Sequence, residues 1–201
     1  TLHAGLETGQ YIWSFYSACN MSLSSLLMGR RLDEVVEEVR LYLPLCKLDK
    51  FNAITWMVGA AADLCEDLLA PDEGGAPPRP RWIDVDSIAE EARRINNQAS
   101  LYFLNIYFVI AGVFRGAYEE VAEAWSTTDP GSLGMVAAYF ATPCYYFYGG
   151  VAFSRASEAA APERKEGYLA RLRECARKLD FWAQLGPENL RHRSLILRAE
   201  L

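Results

Sequence analysis

The sequence is poor in the residues that build catalytic and metal sites. It has only two histidines, His3 and His192, in 201 residues. No G-x-G-x-x-G follows a strand pattern, and G-x-x-x-x-G-K-[ST], H-E-x-x-H and G-x-S-x-G motifs are all missing. These absences argue against a nucleotide-binding loop, a zinc-protease helix and a serine-hydrolase elbow. We therefore expect no catalytic residue, no metal site and no cofactor in this segment.

Positive charge is also scarce. The 20 Lys and Arg residues are outnumbered by 26 Asp and Glu residues, and the formal net charge is −6. No cluster of Lys and Arg stands out along the chain, so the counterion release that drives nonspecific nucleic-acid binding is not available. Nucleic acid is therefore not an expected partner.

The five cysteines include no C-x-x-C pair and are widely spaced. Most are flanked by apolar residues, which is typical of free thiols buried in a reducing compartment. The first residue is Thr1, and the first nine residues lack the basic start and apolar core of a signal peptide. We expect a cytoplasmic fragment of a larger chain, folded as a single domain over residues 1–201.

One long uncharged run raises the question of a membrane span. Residues 133–153 contain no charged side chain, and a span needs about 20 apolar residues. The run includes Pro143, several glycines and four tyrosines, which do not belong in the middle of a bilayer. A second apolar stretch, residues 101–114, is too short. Both segments are predicted to be buried helices, with Pro143 kinking or breaking the first, and no membrane contact is expected.

Apolar residues recur every three or four positions almost throughout, and no sustained alternation indicates a strand. The pattern predicts about nine helices. A Pro/Gly-rich surface loop is predicted between two of them, at residues 71–81. Paired as hairpins, they advance by roughly 40 to 45 residues per pair, which is the range of two-helix repeats. Either Asp84 or Asp86 is placed to cap the helix that follows the loop.

Two of the turns between helices have similar sequences. Gly29 and Gly116 each stand where the chain reverses, and acidic residues open the next helix in both cases. The second turn continues with Tyr118, Glu119 and Glu120, as in the G-x-Y-E-E-A turn of tetratricopeptide repeats. A hairpin cannot bury its own apolar face, so neighbouring hairpins stack. The predicted fold is an all-α superhelical array of antiparallel helix hairpins, similar to tetratricopeptide repeats.

An aromatic cluster is the feature most open to a functional interpretation. Aromatic residues at helical spacing most often form the core between stacked hairpins. The alternative is a pocket in which tyrosine hydroxyls orient a small-molecule effector or a partner. The candidate residues are Tyr102, Tyr107, Tyr139, Tyr145, Tyr146 and Tyr148.

Two segments carry a resemblance to a known family. The Pro143–Tyr148 segment is similar to a P-x-F-Y-F-Y run, and Lys178–Glu200 is similar to a K-L-x-x-W-A-x-x-x-P-x-N-x-x-H-K-x-x-L-x-x-A-E ending. The chain resembles the tetratricopeptide-like helical segment of large signalling proteins. Those proteins join a serine/threonine-kinase-like domain, a STAND-type ATPase module, this helical segment, and GAF and histidine-kinase domains. The chain departs from the family at Gly149, where the family tends to have Asp, and at Arg193, where it has Lys.

The resemblance implies a role in signalling without chemistry of its own. ATP hydrolysis and phosphotransfer would take place elsewhere in the parent protein. The segment itself would bind a protein partner, or neighbouring domains of its own chain, and relay a signal. A small-molecule-binding sensory domain that uses the tyrosine cluster is the competing hypothesis.

Overall fold

The computed structural model describes residues 2–46, 52–69, 84–127 and 141–201, and every regular element in these ranges is an α-helix. The predicted all-α class is therefore confirmed. The loop predicted at residues 71–81 and the candidate residue Tyr139 lie outside the described residues.

Ten helices occupy the described ranges, compared with the nine or so expected from the sequence. They are α1 (Leu2–Glu7), α2 (Tyr11–Leu27), α3 (Leu32–Cys46), α4 (Asn52–Leu69), α5 (Val85–Arg94), α6 (Gln98–Arg115), α7 (Tyr118–Thr127), α8 (Ala141–Ala159), α9 (Pro162–Leu185) and α10 (Pro187–Ala199). Pro143 lies in the first turn of α8. The part of the uncharged segment that precedes α8, residues 133–140, lies outside the described residues, and so does the predicted kink or break between the two parts.

The chain divides into two compact units, residues 1–107 and residues 108–201. In the first unit, α2 packs against α1, α3 and α4, and α3 packs against α4. The inward side of α3 is formed by Val35, Val39 and Leu43, which are spaced four residues apart and are buried. Glu34 and Glu37 lie on its outer side. The apolar spacing that predicted this helix thus also sets which face enters the core.

In the second unit, α8 packs against α7, α9 and α10, and α9 packs against α10. Phe153, Leu172, Leu179 and Leu197 are fully buried between these helices. Leu197 of α10 rests on the backbone of Gly150, where a Cβ atom would lie 2.5 Å from the leucine Cδ1. A glycine in the middle of α8 therefore lets α10 approach it closely.

Four helices end with the same hydrogen-bonded turn. After α2, Gly29 has a φ of 75° and its N–H donates to Leu26 O, while Arg30 N–H donates to Ser25 O. Gly116 repeats this pattern after α6, with a φ of 76°. This is the Schellman motif, which needs a residue in the left-handed region. The two turns singled out in the sequence are thus closed by the same bonds.

The other two copies of this turn were not predicted. They follow α1 at Gly9 and α5 at Asn96, with φ values of 73° and 54°. At Asn96 the position is held by asparagine, the residue that tolerates left-handed backbone best after glycine. At the opposite end of α5, Asp84 accepts a hydrogen bond from Ser87 N–H at 3.1 Å, so Asp84 and not Asp86 is the N-cap.

Candidate interaction surface

The tyrosines singled out in the sequence are mostly buried. Tyr102 and Tyr107 lie on α6 in the first unit, and Tyr145 and Tyr146 lie on α8 in the second. Tyr148 is half-buried, with its ring 5.7 Å from that of Phe114 and 5.2 Å from that of Phe147. None of the five candidate tyrosines that the structure describes lines either of the two clefts of the second unit described below.

Trp125, at the end of α7, is the centre of the ring cluster in the second unit. Its indole stacks on Tyr145 with ring centroids 5.4 Å apart. It meets the rings of Tyr146 and Phe153 edge to face, at 5.6 Å and 5.3 Å. Tyr146 in turn contacts Trp182 of α9 edge to face at 5.3 Å. These are the preferred geometries of packed aromatic pairs, and together they join α7, α8 and α9.

The protonation of this cluster also fits a packing role. Burial raises the pKa of Tyr146 to about 12, and it raises the pKa of Tyr148 as well. The hydroxyls are therefore neutral at physiological pH and poorly suited to acid–base chemistry. Trp125 Nε1 is buried and has no hydrogen-bond partner among the described residues. It lies against the backbone of Gly149.

A first cleft, of about 570 Å³, lies between α7 and α9. Arg164 of α9 crosses it to reach Glu119 at 2.5 Å and Glu123 at 2.9 Å on α7, and it donates to the Tyr168 hydroxyl. Its single positive charge is thus outweighed by two carboxylates, and this edge of the cleft is not basic. The residues that line it are Ala122, Glu123, Glu163, Arg164, Gly167, Tyr168 and Arg171.

A second cleft, of about 460 Å³, lies between α9 and α10. Its one acidic residue, Asp180, accepts a hydrogen bond from Ser194 and is thereby held within the hairpin. Arg191 and Arg198 line the cleft, and neither forms an ion pair with any residue that the structure describes. The remaining lining residues are Ala183, Gln184 and Pro187.

Exposed apolar and basic side chains also lie on the two helices that form this second cleft. Phe181 on α9 and Leu195 on α10 are 57% and 52% exposed. Arg177 precedes Phe181 by four residues, so the two share a side of α9. Leu195 lies between Arg191 and Arg198 on one side of α10, at spacings of four and three residues. We call these five residues, Arg177, Phe181, Arg191, Leu195 and Arg198, the basic face.

The described residues offer little for chemistry. They contain no group of three or more His, Cys, Asp or Glu side chains placed to hold a metal ion. Cys144 Sγ accepts a hydrogen bond from Arg193 Nη1 at 2.8 Å, yet burial outweighs the guanidinium and raises the pKa of the thiol. Among the same residues, no helix combines the length and apolar character needed to cross a bilayer. No protein-family model, curated protein or solved structure matches the chain significantly.

Proposed function

We propose that this chain is a non-catalytic helical-repeat module, similar to tetratricopeptide repeats, that binds a protein partner. One observation carries the proposal: α2 packs against both α3 and α4, and α8 packs against both α9 and α10. Contact of a helix with the next two along the chain is what stacked hairpins produce, because each hairpin must bury its face on its neighbour.

The recurring turn supports the same proposal. A Schellman motif closes α2 before α3 and α6 before α7, and each following helix begins with two acidic residues in its first turn. Val35 and Val121 are both fully buried. They hold equivalent positions in their helices, because the N–H of each donates to the residue four positions earlier, at the helix start. The two hairpins differ by one residue in the turn. We propose that the two hairpins are copies of one repeated structural unit.

Binding fits the described side chains better than catalysis does. Many large apolar residues are exposed, including Trp13, Met28, Leu41 and Leu195. Clusters of exposed apolar residues mark protein interaction sites when they are contiguous. In line with the family resemblance, we propose that the module relays a signal inside a cytoplasmic multidomain ATPase and kinase protein. A bound partner shifts such a parent between states only if it prefers one of them.

A displayed library of helical and extended peptides, panned against the purified chain, tests the binding function. The expected result is a set of selected peptides that compete with one another for the folded protein and not for the urea-unfolded protein. Alanine substitutions at exposed apolar positions should remove binding without changing the far-UV circular dichroism. Recovery of no competing peptides from several libraries would contradict the proposal.

The relay role depends on context, so it is tested by the gene around these 201 residues. The proposal expects a serine/threonine-kinase-like domain and an ATPase module upstream, and GAF and histidine-kinase domains downstream. Phosphotransfer by that parent should change when the partner-binding surface is substituted. A gene with none of these domains would remove the relay role and leave the binding function standing.

The alternative, a small-molecule-binding sensory module, is favoured by the cleft between α7 and α9. Its volume of about 570 Å³ is within the range of ligand pockets, roughly 300–1,000 Å³. Tyr168 lines it, and Arg171 lies over the Trp125 ring at 6.0 Å behind it. A thermal-shift screen of small aromatic acids, with Tyr168→Ala as the control, distinguishes this role. Stabilisation that the control abolishes would favour the receptor.

A further inference from the structure

The basic face combines exposed apolar residues with cations that have no partner. Phe181 on α9 and Leu195 on α10 are more than half exposed, and they lie on the two helices that form the second cleft. Arg177 shares a side of α9 with Phe181, Arg191 and Arg198 share a side of α10 with Leu195, and none of the three arginines forms an ion pair with a described residue. By contrast, Arg164, Arg171 and Arg173 of α9 all pair with glutamates. Six cations of this hairpin form no ion pair with a described residue, and three of them, Arg177, Arg191 and Arg198, share helix sides with Phe181 or Leu195.

The charge of the hairpin differs in sign from that of the chain. Residues 162–201 contain nine Lys or Arg and six Asp or Glu, whereas the whole chain contains 20 and 26. An acidic partner would therefore be attracted to this hairpin and repelled by much of the remaining surface. This asymmetry fixes the sign of the partner's charge.

The cleft fixes the partner's shape. It is a furrow between two helices, and Ala183 and Pro187 supply apolar lining. Phe181 lies on α9 and Leu195 on α10, the two helices that form this furrow. A furrow between two helices that each expose an apolar residue can accept the apolar stripe of an amphipathic helix, whose anchors repeat every three or four residues. Acidic residues flanking that stripe would then meet Arg177, Arg191 and Arg198.

We propose that the basic face is a docking site for an acidic amphipathic helix. This inference rests on the proposed binding function and names the partner class for it. The apolar anchors of the helix fill the cleft between α9 and α10, and its carboxylates pair with the three arginines. Each such exposed pair contributes modestly, so burial of the apolar anchors supplies most of the affinity and the charges supply selectivity.

The test uses a labelled peptide of about 18 residues with leucines on one helical side and glutamates elsewhere, titrated with the purified chain. A scrambled peptide of equal composition and a peptide with lysine in place of glutamate are the controls. We expect saturable binding of the acidic amphipathic peptide, at least about tenfold weaker binding of both controls, and weakening with added salt. Equal binding of the scrambled peptide, or no binding, would overturn the inference.

Matched variants locate the site. Arg191→Glu together with Arg198→Glu should weaken the acidic peptide about tenfold or more and strengthen the lysine peptide, because the charge pairs are reversed. Lys165→Glu, on the exposed first turns of α9, is the charge control and should change little. Leu195→Asp should abolish binding, while Leu69→Asp, on α4 and 47% exposed compared with 52% for Leu195, should not.

The remaining outcomes separate this inference from the function on which it rests. If library peptides bind the chain and Leu195→Asp leaves them bound, the binding function stands and this site is wrong. If the chain forms dimers that Leu195→Asp dissociates, the occupant is a second copy and the inference is wrong. If short double-stranded DNA binds as tightly as the acidic peptide, the face is a phosphate site and the inference also fails.

Discussion

The backbone of Gly149 lies directly against the indole ring of Trp125: a Cβ atom at residue 149 would stand 2.5 Å from Nε1. The indole cannot move aside easily, because the rings of Tyr145, Tyr146 and Phe153 surround it at 5.3 to 5.6 Å. The contact between α7 and α8 therefore depends on a residue without a side chain. The family proposed from the sequence usually has Asp at this position, and an Asp side chain would not fit here.

Gly149→Ala should destabilise the protein by about 1–3 kcal/mol, the usual cost of overpacking a core. The gain in helix propensity, about 1 kcal/mol, acts in the opposite direction. Gly167→Ala is the matched control, since Gly167 is in a helix and its Cβ would meet no atom within 4 Å. That variant should gain up to about 1 kcal/mol. Urea unfolding of both checks this, and equal stabilisation by the two would contradict the close contact.

The shared turn after four helices leads to a prediction at Asn96 and Gly116. Both have positive φ values, of 54° and 76°. Gly116→Ala should cost about 1–2 kcal/mol, because a Cβ is unfavourable in the left-handed region. Asn96→Gly should be neutral or slightly stabilising, and Asn96→Val should cost at least as much as Gly116→Ala. Thermal unfolding ranks the three variants, and a destabilising Asn96→Gly would show that the asparagine side chain matters more than its backbone.

The capping of α5 distinguishes two neighbouring aspartates. Asp84→Ala should cost about 1 kcal/mol, since the Ser87 N–H loses its acceptor. Asp86→Ala removes the same charge from the first turn and leaves the cap bond intact, so its cost should be smaller, about 0.3–1 kcal/mol from the helix dipole. Chemical unfolding measures both. A larger effect at Asp86 would mean that the cap bond contributes little.

Alkaline conditions should destabilise the fold through buried acids. Burial raises the pKa of the Cys65 thiol from 9.0 to about 12, and that of the Tyr146 hydroxyl from 10.0 to about 12. The folded state keeps these groups protonated while the unfolded chain ionises them. Their contribution is present below pH 9 and is lost as the pH rises from 9 to 12.

Urea midpoints measured at pH values from about 7.5 to about 10.5 should therefore fall with pH. Cys65→Ala should flatten that fall even though it lowers stability at neutral pH, because it removes one titrating group and some packing. The slope against pH is the readout. An unchanged slope in Cys65→Ala would mean that this thiol does not titrate differently in the folded and unfolded states.

The sequence was sufficient to predict structural features that depend on a single helix. Apolar residues at helical spacing predicted helices such as α3, and Gly29 and Gly116 predicted two turns. Asp84 and Asp86 remained alternatives because a cap depends on backbone angles that composition does not reveal. The turn at Asn96 was missed for the same reason, since asparagine is common in many loop conformations.

Features assembled from several helices were harder to predict. Trp125 was not recognised as the ring centre, because its partners come from α8 and lie 20 or more positions away in the sequence. The basic face was also missed: Arg177 lies on α9, whereas Arg191 and Arg198 lie on α10, so no run of cations appears in the sequence. Only the antiparallel packing of the two helices brings them to one surface. The long uncharged segment predicted burial correctly over residues 141–153, but it did not indicate that Gly149 would contact Trp125.

The ring cluster around Trp125 also provides an optical probe. Indole and phenol chromophores in van der Waals contact couple their transitions, so this unit should give near-ultraviolet dichroic bands that vanish when α7 and α8 separate. Trp182 lies next to Phe181, a residue of the basic face, and its ring is 5.3 Å from that of Tyr146. The fluorescence emission of Trp182 should therefore change when a helix binds nearby. Binding at the basic face can then be measured with unlabelled protein.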